Sequence, residues 1–126
     1  NHEYAVKRDN ESLSLIKILD KNTNVEWANT LMGDGKGNTI NLISTSHQKE
    51  TVSMGSRPID RFIHSKPNFQ VIRADHIHPT AGHNIPSTDG GDIDKAKGIL
   101  KTSPKATFRI LNNGTYYDYT NEARKK

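Results

Sequence analysis

Apolar and polar residues alternate in several short runs, which is the pattern of strands that bury one face. The runs are residues 39–45, residues 69–77, Ala106–Leu111 and Thr115–Tyr119. The last two are separated by Asn112-Asn113-Gly114, a strong hairpin signal. The sequence therefore predicts at least four strands, the last two of them paired as a hairpin.

A shorter strand is predicted at residues 25–28, with Val25 and Trp27 on one face and Glu26 on the other. The polar run at residues 34–38, which holds two glycines, reads as a turn. It would join this short strand to the strand at residues 39–45.

Three segments are predicted to be helical. Residues 11–20 fit either a strand or a helix, and a helix with Asn10 as its cap is favoured. Pro58 starts a second helical run that ends at His64. The third begins at Asp92, and its apolar residues fall on one face: Ile93, Ala96, Ile99 and Leu100. The order of elements indicates an α/β or α+β domain with a mixed sheet and helices packed on it.

Composition limits the possible chemistry. The 126 residues suit one domain. A hydrophobic content of 32% and a mean hydropathy of −0.80 are low for a globular protein, but the apolar residues gather in short runs, which favours a compact fold with long polar loops. The absence of cysteine excludes disulfides, thiol catalysis and cysteine zinc sites. Any metal must be held by His, Asp or Glu.

A net charge of +4 permits contact with nucleic acid or acidic partners, but the basic residues are scattered. The cluster at residues 124–126 is interpreted as a solvated tail. The sequence shows no membrane segment and no signal peptide. Because the chain starts at Asn, we expect a single domain over residues 1–126 that forms the C-terminal module of a longer protein.

The histidine pair in Asp75-His76-Ile77-His78-Pro79 is the main candidate for chemistry. Residues i and i+2 of a strand face the same way about 6.6 Å apart, so both imidazoles can reach one ion. Asp89 and Asp92 follow in the next loop and at the next helix start. Two histidines and one carboxylate leave a fourth position for water, the arrangement of catalytic zinc.

His76-Ile77-His78-Pro79, the later Ser87 and the Asp92 that opens a helix together resemble the JAMM or MPN+ signature of JAB-domain metallopeptidases. Within that superfamily the chain looks most like the JAB-like toxin domains of bacterial polymorphic toxins. The resemblance implies a JAB/MPN-like mixed β-sheet flanked by helices, layered as in cytidine deaminases. It also implies export as part of a larger toxin and a matching immunity protein.

Carried over to this sequence, the resemblance implies a zinc-dependent peptidase or isopeptidase. His76, His78 and Asp92 would bind the metal, although the usual spacing fits Asp89 and leaves that alternative open. Glu26 would take the proton of the attacking water and pass it to the leaving amine. Ser87 would stabilise the oxyanion. The expected substrate is a protein or peptide rather than a nucleic acid.

Two other functions remain open. The run from Asp75 to Pro79 also looks like the opening of HNH endonucleases, but no histidine follows His83 and the helix from Asp92 contains no Asn. A non-catalytic MPN-like interaction module is the other alternative. A histidine pair followed by an aspartate argues against it.

Overall fold

The structure is a computed structural model that describes residues 2–22, 26–45, 62–78, 85–86 and 91–125. The elements, in chain order, are β1 (His2–Val6), α1 (Asp9–Asn22), β2 (Ala28–Gly33), β3 (Thr39–Thr45), β4 (Gln70–Ile77), α2 (Asp92–Thr102), β5 (Thr107–Asn112), β6 (Thr115–Asp118) and α3 (Thr120–Arg124). Residues 62–65 are also helical. The fold is mixed α/β, as the sequence predicts.

The six strands form one mixed sheet in the order β1-β3-β2-β4-β5-β6. Neighbouring strands are antiparallel except for β4 and β5, which are parallel. A parallel pair needs a crossover connection, and α2 lies within that connection. The helix that follows the histidines along the chain is therefore brought back onto the sheet beside them.

Each face of the sheet has its own apolar core. On one face, α2 and α3 contribute Ala96, Ile99 and Ala123, which pack with strand residues such as Ala74 and Phe108. On the other face, α1 contributes Ile16 to a smaller cluster that also contains Trp27, Ile43, Ile77 and Leu111. Strand β4 therefore contributes to both cores, Ala74 to the first and Ile77 to the second.

Several predicted elements are confirmed. The strand at Thr39–Thr45 and the helix start at Asp92 have the predicted bounds, and β4 begins one residue later than expected. The turn at residues 34–38 is held by Asp34, whose Oδ1 accepts from the backbone N of Lys36 at 2.7 Å. In the hairpin, Asn113 and Gly114 have φ of 51° and 80°, which is the backbone of a type I′ turn.

Other predictions are wrong in part. The predicted strand at residues 25–28 begins only at Ala28 and runs on to Gly33; Val25 lies outside the described residues. Helix α1 begins at Asp9 rather than after an Asn10 cap, because the N–H of Ser12 already bonds the carbonyl of Arg8 at 3.1 Å. Of the run predicted from Pro58, residues 58–61 lie outside the described residues.

The sequence analysis missed β1 and α3. Arg124 and Lys125 of the predicted solvated tail are exposed, but Arg124 also ends α3, and its Nη2 donates to the carbonyl oxygen of Pro104 at 2.7 Å. Lys97 of α2 donates to the carbonyl of Ala123 at 3.0 Å. The pattern of apolar residues could not predict either contact, because both contacts join charged side chains to backbone oxygens.

Within the described ranges, no helix is both long and apolar enough to cross a membrane.

Candidate metal centre

The end of β4 fixes the backbone of both histidines. His76 lies opposite Ala28 of β2 and opposite Ile110 of β5 in the sheet register. One residue later the N–H of Ile77 donates to the carbonyl of Trp27 at 2.8 Å. The strand is thus hydrogen-bonded on both sides up to its last residue, and this limits the freedom of the His76 side chain.

His78 follows the last residue of β4 but remains tied to β5. Its N–H donates to the carbonyl of Leu111 at 3.0 Å. Its own carbonyl accepts from Nδ2 of Asn112, a buried residue, at 2.9 Å. The sequence analysis assigned Asn112 to the hairpin turn and missed this role. The only signal was its place at the end of the strand that pairs with the histidine strand.

Three side chains meet at one point on the α2 face of the sheet. The Nε2 atoms of His76 and His78 are 2.8 Å apart. Oδ1 of Asp92 lies 3.2 Å from Nε2 of His76, and Oδ2 lies 3.1 Å from Nε2 of His78. All three residues are buried. The structure therefore brings together the three residues that the sequence analysis proposed as metal ligands.

Asp92 reaches the histidines because it is the first residue of α2. The residue before the helix is Gly91, which makes no side-chain capping bond. Asp92 lies inside the first turn of α2, where the helix dipole favours a negative charge. Its carboxylate spans both imidazoles.

Glu26 approaches the same point from the start of β2. It is 7% exposed, and one of its carboxylate oxygens lies within 4.8 Å of a ring nitrogen of both His76 and His78. Its backbone carbonyl accepts from Oγ1 of Thr45 at 2.5 Å, which ties this segment to β3. Trp27 points to the opposite core, so the predicted division of Glu26 and Trp27 between two faces is observed.

Burial dominates the electrostatics of His76. Removal from water lowers the pKa of its imidazole, while the carboxylate of Asp92 acts in the opposite direction. The buried Nδ1 of His76 has no hydrogen-bond partner among the described residues. A low pKa keeps the ring neutral, and the neutral ring is the form that binds a metal.

The donor atoms fit a small tetrahedral ion. Zinc bonds of about 2.0–2.1 Å to nitrogen and oxygen put neighbouring ligand atoms about 3.3 Å apart. The two Nε2 atoms lie 2.8 Å apart, and each lies 3.1–3.2 Å from a different carboxylate oxygen of Asp92. Two imidazoles and a carboxylate also match the donor types of zinc centres in proteins that lack cysteine ligands.

An aromatic contact and a set of ion pairs lie on the two faces of β4 at the histidines. The ring of Tyr119 packs edge-on against His76, with centroids 5.9 Å apart and an interplanar angle of 84°. On the opposite face of β4, Asp75 accepts from Nε of Arg73 at 2.9 Å and from Nη2 of Arg109 at 2.6 Å. The sequence analysis did not identify either support, although Arg73 and Asp75 already share a strand face in the sequence.

Three residues discussed in the sequence analysis cannot be compared with the structure. Ser87, the predicted oxyanion donor, and Asp89, the alternative third ligand, lie outside the described residues, as does His83. Their assignments stay predictions.

Comparison with known proteins gives one result that bears on this geometry. A family model described as JAB-like toxin 1 matches residues 4–97. The matched range contains both histidines, Glu26 and Asp92. No curated protein matches the chain.

Proposed function

This chain belongs to the JAB-like toxin 1 family, and from that premise we propose that it is a toxin domain that hydrolyses peptide or isopeptide bonds with the help of zinc. The observation that carries the proposal is the meeting of His76, His78 and Asp92 at one buried point, with Glu26 beside them. A structural role for four buried polar side chains would not require their donor atoms to converge.

Zinc is the metal that we assign to the centre. Three protein ligands leave one tetrahedral position for substrate or water, which distinguishes catalytic from structural zinc sites. Two histidines and one carboxylate also suit iron(II). Metal analysis of the purified protein separates the two, and we expect about one zinc per chain.

The roles that we propose for the side chains rest on the family resemblance and, for Glu26, on its position beside the histidines. A zinc ion held here would activate a water molecule and polarise the carbonyl that it attacks. Glu26, buried beside the two histidines, accepts the proton of the attacking water and returns it to the leaving amine. Ser87 is proposed to donate a hydrogen bond to the oxyanion, the role that the resemblance to JAB-domain metallopeptidases implies.

The test of this function is a panel of peptide, isopeptide and nucleic-acid substrates given to the zinc-loaded domain. We expect cleavage of amide bonds that His76→Ala, His78→Ala and Glu26→Gln each abolish, while His64→Ala, which changes an exposed histidine, has no effect. Zinc-dependent cleavage of nucleic acid alone would replace the peptidase proposal with the nuclease alternative. Full activity of the His76→Ala variant would contradict both the peptidase and the nuclease proposals.

The toxin proposal needs its own experiment. Expression of the wild-type domain inside a bacterial cell should stop growth, and expression of Glu26→Gln at the same level should not. An immunity protein is the proposed partner, and its co-expression should restore growth. If the wild-type domain is harmless while it cleaves peptides in solution, the toxin proposal fails and the chemistry stands.

A further inference from the structure

A pocket of about 500 Å³ lies beside the metal centre. Its lining includes Tyr119, whose ring also packs against His76, and Ile93, which directly follows the proposed ligand Asp92 in α2. One wall of the pocket is therefore shared with the proposed catalytic centre. A group bound in the pocket would therefore lie beside the proposed catalytic centre, on the other side of the Tyr119 ring.

The pocket is apolar, and part of its apolar surface is exposed. Five large hydrophobic side chains are exposed among the described residues, and two of them, Ile85 and Tyr117, line this pocket at 70% and 38% exposure. Pro86 extends the same wall. Exposed apolar side chains that converge on one concave surface are typical of binding sites rather than of ordinary surface.

The charge at the rim is acidic, although the whole chain carries a net charge of +4. Asp118 and Glu122 are exposed and line the pocket, and no basic residue is present among its described lining residues. Oδ1 of Asp118 accepts from the backbone N–H of Thr120 at 2.8 Å, which holds that carboxylate at the start of α3. An apolar floor with acidic groups at its edge complements an apolar side chain next to a cation.

We propose that this pocket is the substrate-selecting subsite, and that it binds a large apolar side chain of a polypeptide flanked by lysine or arginine. The proposal rests on the peptidase function above, because it identifies the class of sequence at the cleaved bond. Ile85, Ile93 and Tyr117 contact the apolar side chain, and Asp118 and Glu122 pair with the adjacent cation.

The experiment uses two fluorescein-labelled peptides in a glycine–serine background, one with a central leucine–lysine pair and one with a central serine–glutamate pair. Cleavage is measured with the zinc-loaded wild type, and binding without turnover is measured by anisotropy with Glu26→Gln. We expect the leucine–lysine peptide to be preferred by about tenfold or more in both assays, the scale of discrimination by one apolar pocket.

The variants test the two halves of the pocket separately. Ile85→Ser should reduce the preference for the leucine–lysine peptide, whereas Ile18→Ser, which changes another exposed isoleucine, at 57% exposure on α1, should leave it unchanged. Glu122→Lys should also reduce that preference, and Glu11→Lys, on the exposed side of α1, should not.

The outcomes separate this inference from the proposed function. If the wild type cleaves both peptides equally and Ile85→Ser changes neither rate, the pocket is not the subsite and the peptidase proposal survives. If no peptide is cleaved but Glu26→Gln still binds the leucine–lysine peptide selectively, the subsite stands and the hydrolase proposal fails. A peptide-free dimer that Ile85→Ser disrupts would show that a second copy of the chain fills the pocket, and would overturn the inference.

Discussion

Replacement of Asp75 by Asn should destabilise the domain strongly, because Asp75 is the charge that pairs with two arginines behind the histidine strand. Its side chain is 1% exposed and accepts from Nε of Arg73 at 2.9 Å and from Nε and Nη2 of Arg109 at 2.8 and 2.6 Å. The amide would keep one acceptor oxygen but would turn two N–H donors toward cationic groups.

The size of the effect follows from burial. Removing one partner of a buried ion pair costs about 3–5 kcal/mol, because the remaining charge stays desolvated. Here the arginine side chains keep 15% and 23% exposure, and Arg73 retains Asp9 at 2.7 Å. We therefore expect a somewhat smaller loss of stability, about 2–4 kcal/mol, which corresponds to a fall in Tm of roughly 10 °C.

Urea unfolding followed by the fluorescence of the single tryptophan, Trp27, measures this loss directly. The protein should be kept in chelator so that metal binding does not contribute. Asp9→Asn is the matched control: it changes the other carboxylate of Arg73 at a side chain that is 36% exposed, and should cost less than about 1 kcal/mol. Equal losses for the two variants would refute the argument from burial.

Three further predictions test the site and its support. Glu26→Gln should lower kcat in peptide kinetics by at least about a hundredfold, because it removes the proton-transfer group. Metal analysis should find its zinc content unchanged, because Glu26 is not a proposed ligand. Asn112→Ala removes the buried side chain that donates to the carbonyl of His78, and should destabilise the fold by about 1 kcal/mol. It should also weaken zinc binding in a chelator competition. An unchanged affinity for zinc would mean that Asn112 does not position His78. Gly114→Ala should lower the free energy of unfolding in urea by about 1 kcal/mol. The loss comes from the backbone alone, because φ is 80° and an added Cβ would meet nothing within 4 Å.

The elements that the sequence predicted well are those with an apolar period or a specific turn. The strand at residues 39–45, the helix from Asp92 and the hairpin around Gly114 all carry such local signals. Strand β2 was largely missed because both of its faces are buried and include Asn29 and Thr30, which a pattern based on hydrophobicity reads as surface.

For the site, local sequence indicated the histidine pair because strand spacing alone puts His76 and His78 on one side. The contact of Asp92 with both rings depends on the crossover between parallel strands β4 and β5, a long-range feature that the residues do not encode locally. Placing Glu26 required the resemblance to a family. The support from Arg109 and Tyr119 comes from elements that pair or pack only after folding.

The most direct test of the central claim is a crystal of the zinc-loaded protein with an anomalous difference map recorded at the zinc edge. We predict one strong peak within bonding distance of Nε2 of His76, Nε2 of His78 and a carboxylate oxygen of Asp92, with Glu26 facing the remaining position. A map without a peak at the histidine pair would contradict the proposed centre. A peak bonded to Asp89 in place of Asp92 would contradict the proposed ligand set.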